Sequence, residues 1–198
     1  MTDTITERWL TDARIELQER VFTPRGIDLP ESLRFRVGSI PGTRGTSRKV
    51  LGTYAPAAMC EDGVPQIYIT PLRSDALTIL ATLAHECLHA VHPTAGHRGL
   101  FATDARAIGL AGKLTETVAG PDLATILESI AADLGAYPHG KLDPKARASQ
   151  STRMVKVWCP ACRMPFRTAR ANFDKLHPYC QLHERWFVEP DAADNVAA

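Results

Sequence analysis

No stretch of this chain approaches the roughly 20 consecutive apolar residues that a membrane helix requires, so no membrane association is expected. The opening residues, Met1-Thr-Asp-Thr-Ile-Thr-Glu, have neither the basic start nor the apolar run of a secretory leader. The expected location is therefore cytoplasmic. Internal repeats are missing, and so is net charge: 23 Lys and Arg stand against 22 Asp and Glu. The glycine-rich, basic stretch from Gly38 to Lys49 lacks the Gly-Lys-Ser/Thr ending of a phosphate loop and reads as a surface hairpin loop. Five cysteines, an odd number with two standing alone, do not make a disulfide scaffold. What is present, 44% hydrophobic and 23% charged residues over 198 positions, excludes wholesale disorder. That length suits one domain with a small module attached.

The charge is unevenly spread. Between Lys145 and Arg185 nine basic residues face only two acids, Asp174 and Glu184, so the rest of the chain is acidic. Such asymmetry is a compositional hint of a nucleic-acid-facing segment. Cys159, Cys162 and Cys180 crowd into this same window, and clustered cysteines in a reducing compartment are more often metal ligands than disulfide partners. Cys87 reads as a small core thiol and Cys60, beside Glu61-Asp62-Gly63, as a turn residue.

Apolar periodicity predicts a first helix from Ile5 to Val21, stopped by Pro24 and Gly26. Three β-rich runs follow, Leu33–Val37, Val50–Tyr54 and Gln66–Thr70, read as a three-stranded antiparallel sheet joined by hairpin loops. A strong helix is expected from Ala76 to about Val91, capped by Ser74 or Asp75 and ended by Pro93. Further helices are expected over Leu100–Ala111 and Leu123–Leu134. The polar stretch 137–152 reads as a linker. The resulting organisation is an α+β domain over 1–136, a linker over 137–152, a basic cysteine-bearing module over 153–189 and a frayed tail over 190–198.

The best helix carries His85-Glu86-Cys87-Leu88-His89, an H-E-x-x-H pattern. A spacing of four puts both imidazoles on one face, about 6 Å apart along the axis and close enough to chelate one ion. Glu86, turned about 100° away, lies beside the metal without ligating it, where it can accept a proton from water attacking a carbonyl. His92 rises about 10.5 Å from His85, too far to share a tetrahedral ion. His97 is the favoured third ligand: Pro93 breaks the helix and Gly96 permits a tight reversal. Asp104 and Glu116 are the carboxylate alternatives. The metzincin spacing fails, since His92 and Ala95 occupy its glycine and third-histidine positions.

Cys159-Pro-Ala-Cys162 and Cys180-Gln-Leu-His183 form a second constellation with zinc-ribbon spacing. Four ligands close a tetrahedron and leave no position for substrate, so this site is expected to be structural, with His177 the rival to His183. Arg163, Arg167, Arg170 and Lys175 alternate here with Trp158, Phe166, Phe173, Tyr179 and Trp186. Phosphate neutralisation and base stacking by these residues would suit single-stranded or junction DNA.

Taken together, the H-E-x-x-H run, the Gly96-His97-Arg98-Gly99-Leu100-Phe101 segment and the trailing ribbon resemble the SprT-like metalloprotease family, the group that includes Spartan, and its small bacterial or phage members in particular. The resemblance spans about residues 5 to 187. It implies a zincin-like fold, two zinc ions, His85, His89 and His97 as ligands of the catalytic one, Glu86 as general base, and DNA-bound proteins as substrates. The run Gln66–Thr70, just before the helix, is the candidate edge for pairing with an extended substrate. Two rivals predict different behaviour: a non-catalytic DNA-binding or transcription-associated protein, and a repressor-cleaving protease of the ImmA kind with a carboxylate third ligand.

Overall fold

The computed structural model describes residues 4–40, 50–144, 146 and 154–189. Most of the glycine-rich loop reading, part of the linker and the tail 190–198 lie outside them. The chain divides into two compact units, Met1–Asp143 and Pro144–Ala198. Five α-helices and small sheets among the described residues make it a mixed α+β chain.

In the first unit α1 spans Ile5–Leu17 and opens with a capping box: Glu7 N donates to Thr4 Oγ1 and Thr4 N to Glu7 Oε2. It buries Trp9, Leu10, Ala13 and Leu17. The helical path then widens into a π turn over Gln18–Phe22 and tightens into a 3₁₀ turn over Thr23–Arg25, which lets Val21 and Phe22 both turn inward. The central helix α2, Ala76–Val91, starts where Asp75 accepts from Thr78 N at 2.8 Å and ends at His92. Ile79, Leu80, Leu83, Ala84, Cys87 and Leu88 are all buried, so α2 is enclosed on most of its circumference. Burial also pushes the Cys87 thiol up, as fits an inert core residue.

The strands are β1 (Arg34–Val37), β2 (Gly52–Ala55) and β3 (Gln66–Ile69), in the order β1-β3-β2. The antiparallel reading is corrected: β2 runs antiparallel to β3, but β1 runs parallel to it. Alternation identifies the buried face, here Phe35, Ile67 and Ile69, but not which strand is its neighbour. The connection Gly38–Leu51 is far longer than a hairpin's two to five residues, which frees β3 to enter between the other two. Because β3 is central, it offers no open edge; β1 and β2 are the edge strands.

The helix expected over Leu100–Ala111 is shorter. α3 covers Leu100–Ala107, and Gly109, at φ 92°, reverses the chain into a hairpin of β4 (Leu110–Lys113) and β5 (Glu116–Ala119). The helix α4 runs Pro121–Leu134, with proline in its first turn. The start of the expected linker belongs to this unit. Tyr137 is buried with its ring 5.0 Å edge-on to Trp9, Thr6 Oγ1 donates to Pro138 O, and Leu142 N donates to Pro71 O. An apolar surface over Trp9 captures the chain before it can leave.

The second unit pairs β6 (Met154–Trp158) with β7 (Pro165–Ala169), follows with α5 (Arg170–Leu176), and ends in the short pair β8 (Tyr179–Cys180) and β9 (Arg185–Trp186). Among its described residues only Val157, Cys159, Thr168 and Cys180 are buried. So few apolar side chains rarely sustain a module of this size without a cross-link or a metal.

Candidate metal centres

In the first unit α2 supplies His85 and His89 one turn apart, and the bend after it supplies His97. Gly96, at φ 56°, makes the reversal between them. His97 Nε2 lies 3.2 Å from Nε2 of His85 and 3.2 Å from Nε2 of His89. Zinc–nitrogen bonds near 2.0–2.1 Å would set tetrahedral ligand nitrogens about 3.3 Å apart, so the three imidazoles fit one ion. Behind them Phe101 is fully buried, its ring 4.4 Å from that of His89, 5.2 Å from His85 and 5.1 Å from His97. One aromatic ring thereby orients all three imidazoles.

The electrostatics favour neutral ligands. Burial, reinforced by His97, lowers His85 to about 4; burial, with His85 and His97 adjacent, lowers His89 to about 3; burial also lowers His97. His85 Nδ1 lies 2.9 Å from Thr117 Oγ1, and with Nε2 turned to the metal its Nδ1–H donates to that hydroxyl. Thr117 belongs to β5, in a hairpin absent from the sequence reading. No spacing rule announces such a partner, so nothing in the sequence pointed to it.

Glu86 is buried, and burial raises its carboxyl to about 8, partly offset by the backbone N–H of Tyr54. It lines a cleft shared with His85, Thr82, Gly52, Glu116 and Thr117. An apolar continuation, lined by Leu51, Leu77, Ala81 and Val118, runs on along α2. The carboxylate alternatives do not join the imidazoles: among the described residues the ligand group is His85, His89 and His97 alone. Asp104 Oδ2 instead lies 2.6 Å from His92 Nε2, tying α3 to the end of α2, and Glu116 lines the cleft wall.

In the second unit the ligand atoms of Cys159, Cys162, Cys180 and His183 lie within 4.8 Å of one another. His183, not His177, completes the group; His177 caps α5. Both knuckles are alike, each placing a left-handed residue after its second ligand: Arg163 at φ 59° and Glu184 at φ 48°. Backbone N–H groups of Cys162 and Ala161 hold the Cys159 thiol below its usual range, while burial and the neighbouring Cys159 raise Cys162.

Of the basic residues singled out above, all four side chains are exposed. Arg163 lies over the Trp158 ring at 5.2 Å, and Arg170 pairs with Glu189 and, at 3.8 Å, with Asp174. Phe166, Tyr179 and Trp186 are exposed, whereas Trp158 and Phe173 are half-buried. Among the described residues no helix is long and apolar enough to cross a membrane. No protein-family model, curated protein or solved structure matches the chain.

Proposed function

We propose that the chain is a zinc-dependent endopeptidase of the SprT-like type with a zincin-like first unit, a structural zinc in its ribbon, and DNA-associated proteins as substrates. The observation that carries this reading is the meeting of three neutral imidazole nitrogens, with His85 and the buried Glu86 carboxyl next to it in the chain both lining one open cleft. His85, His89 and His97 would hold the first ion. When bound, zinc supplies Lewis acidity and makes water a nucleophile near neutral pH.

The chain's own residues do the rest. Glu86, in its ionised form, accepts a proton from the attacking water and delivers it to the leaving amine. Burial keeps His85 and His89 unprotonated well below neutral pH, and it lowers His97 as well. The edge strand β2 borders the cleft at Gly52, where an extended substrate can lie alongside. Exposed Arg167 and Lys175, with the exposed aromatics, equip the ribbon for nucleic-acid backbone and bases.

The test is proteolysis of a DNA-bound protein by wild type and Glu86→Gln, with and without single-stranded DNA. Cleavage by wild type that rises with DNA, and is lost in Glu86→Gln while two zinc ions per chain remain, is the expected result. Equal cleavage by the variant would remove Glu86 from its role, and no cleavage by either would leave a non-catalytic zinc protein.

A further inference from the structure

The side of the three-stranded sheet that faces the helices carries a large side chain at almost every position. Register sets Phe35 beside Ile67, Tyr54 beside Ile67, and Gly52 beside Ile69. The exception is Gly52. It lies in a regular strand and is not among the positive-φ glycines, so its backbone conformation would suit any residue. Glycine inside a strand sacrifices packing, and commonly marks a close approach.

Here the approach is to the catalytic helix. A Cβ at Gly52 would lie 2.6 Å from Glu86 Cγ, 2.8 Å from Glu86 Oε1 and 2.7 Å from Thr82 Cγ2, where ordinary carbon contacts need about 3.5–4.0 Å. Neither neighbour is free to give way. Glu86 is buried, and Thr82 is tied to its own helix by donating Oγ1 to Thr78 O at 2.7 Å.

The geometry points to Gly52 as a positioning residue: its missing side chain lets β2 rest on the Glu86 stem and hold that carboxylate in one orientation over the cleft. This rests on the peptidase reading for its catalytic consequence, but the contact itself does not. A methyl group at 52 forces Glu86 into another rotamer or lifts β2 from α2, and in either case the proton acceptor leaves its place.

Two measurements on the full-length, zinc-loaded chain test this. The first is a melting cycle. Gly52→Ala is expected to lower the melting temperature by roughly 4 °C or more in the wild-type background. In the Thr82→Ser/Glu86→Ala background, where all three crowding atoms are gone, it is expected to have almost no effect. An equal loss in both backgrounds overturns the contact. The second is kinetic. Gly52→Ala is expected to cut kcat at least about tenfold with KM and zinc content unchanged. Glu86→Asp, which withdraws the carboxylate by one methylene, is expected to cost less on Gly52→Ala than on wild type. Unchanged kcat, or a loss confined to KM, overturns the positioning role. If wild type shows no turnover, the peptidase reading falls while the melting cycle still decides whether Gly52 holds Glu86.

Discussion

A hydroxyl on an unforeseen hairpin touches one of the three clustered imidazoles. Thr117 Oγ1 lies 2.9 Å from His85 Nδ1, where it can accept that nitrogen's proton and leave Nε2 free for a metal ion. Thr117→Val keeps the volume and deletes that acceptor; it should weaken zinc binding at the three-histidine site by about tenfold or more, measured by competition with a chromogenic chelator. A second residue-scale consequence concerns pH. His85 and His89 bind protons more weakly folded than unfolded, so the unfolded chain takes up more protons in acid and stability falls as pH drops. The metal-free protein should lose melting temperature progressively from about pH 6.5 down to 4, and His85→Ala with His89→Ala should flatten that limb. Glu86 contributes the opposite slope: bound to its proton up to about pH 8 when folded, it disfavours folding as pH rises from the ordinary carboxylate range. At this scale the ligand types and their spacing were legible, because chelation imposes a helical repeat. Thr117 and Gly52 were not, since their importance depends on what the fold brings against them.

Among the elements, the long helices were readable from periodicity and caps, and α2 begins and ends at the expected residues because Asp75 and Pro93 act locally. The sheet was not, because strand order is decided by which apolar pair can occupy the centre, a property of distant segments. Likewise Leu110 and Ala111 continue an apolar helical pattern, yet Gly109 diverts them into β4. The ribbon knuckles offer an element-scale test. Glu184 sits at φ 48° without being glycine, a conformation that is costly for a residue bearing Cβ. Glu184→Gly should stabilise the zinc-bound ribbon by roughly 0.5–1 kcal/mol, read by chemical denaturation followed through Trp fluorescence. Arg163 is a poorer place for the same change, since its guanidinium would be lost from the Trp158 face.

For the whole molecule, the charge asymmetry visible in the sequence survives folding only in part. Arg170 is engaged by Glu189 and Asp174, whereas no such acidic partner accompanies Arg167 or Lys175 among the ion pairs of the described residues. Arg167→Ala and Lys175→Ala should each lower the salt dependence of single-stranded DNA binding by about 0.7 in the log–log slope, and Arg170→Ala by clearly less, measured by fluorescence anisotropy at several salt concentrations. The first of the two units runs on past Ala136 into the stretch read as a linker. Tyr137 nests on Trp9 and Leu142 is fastened to Pro71, so the acidic unit is not finished until the polypeptide has passed both. A fragment cropped after Ala136 would strip that closing strap and leave the indole of the opening helix bare. A fragment cropped after Asp143 keeps the buckle shut.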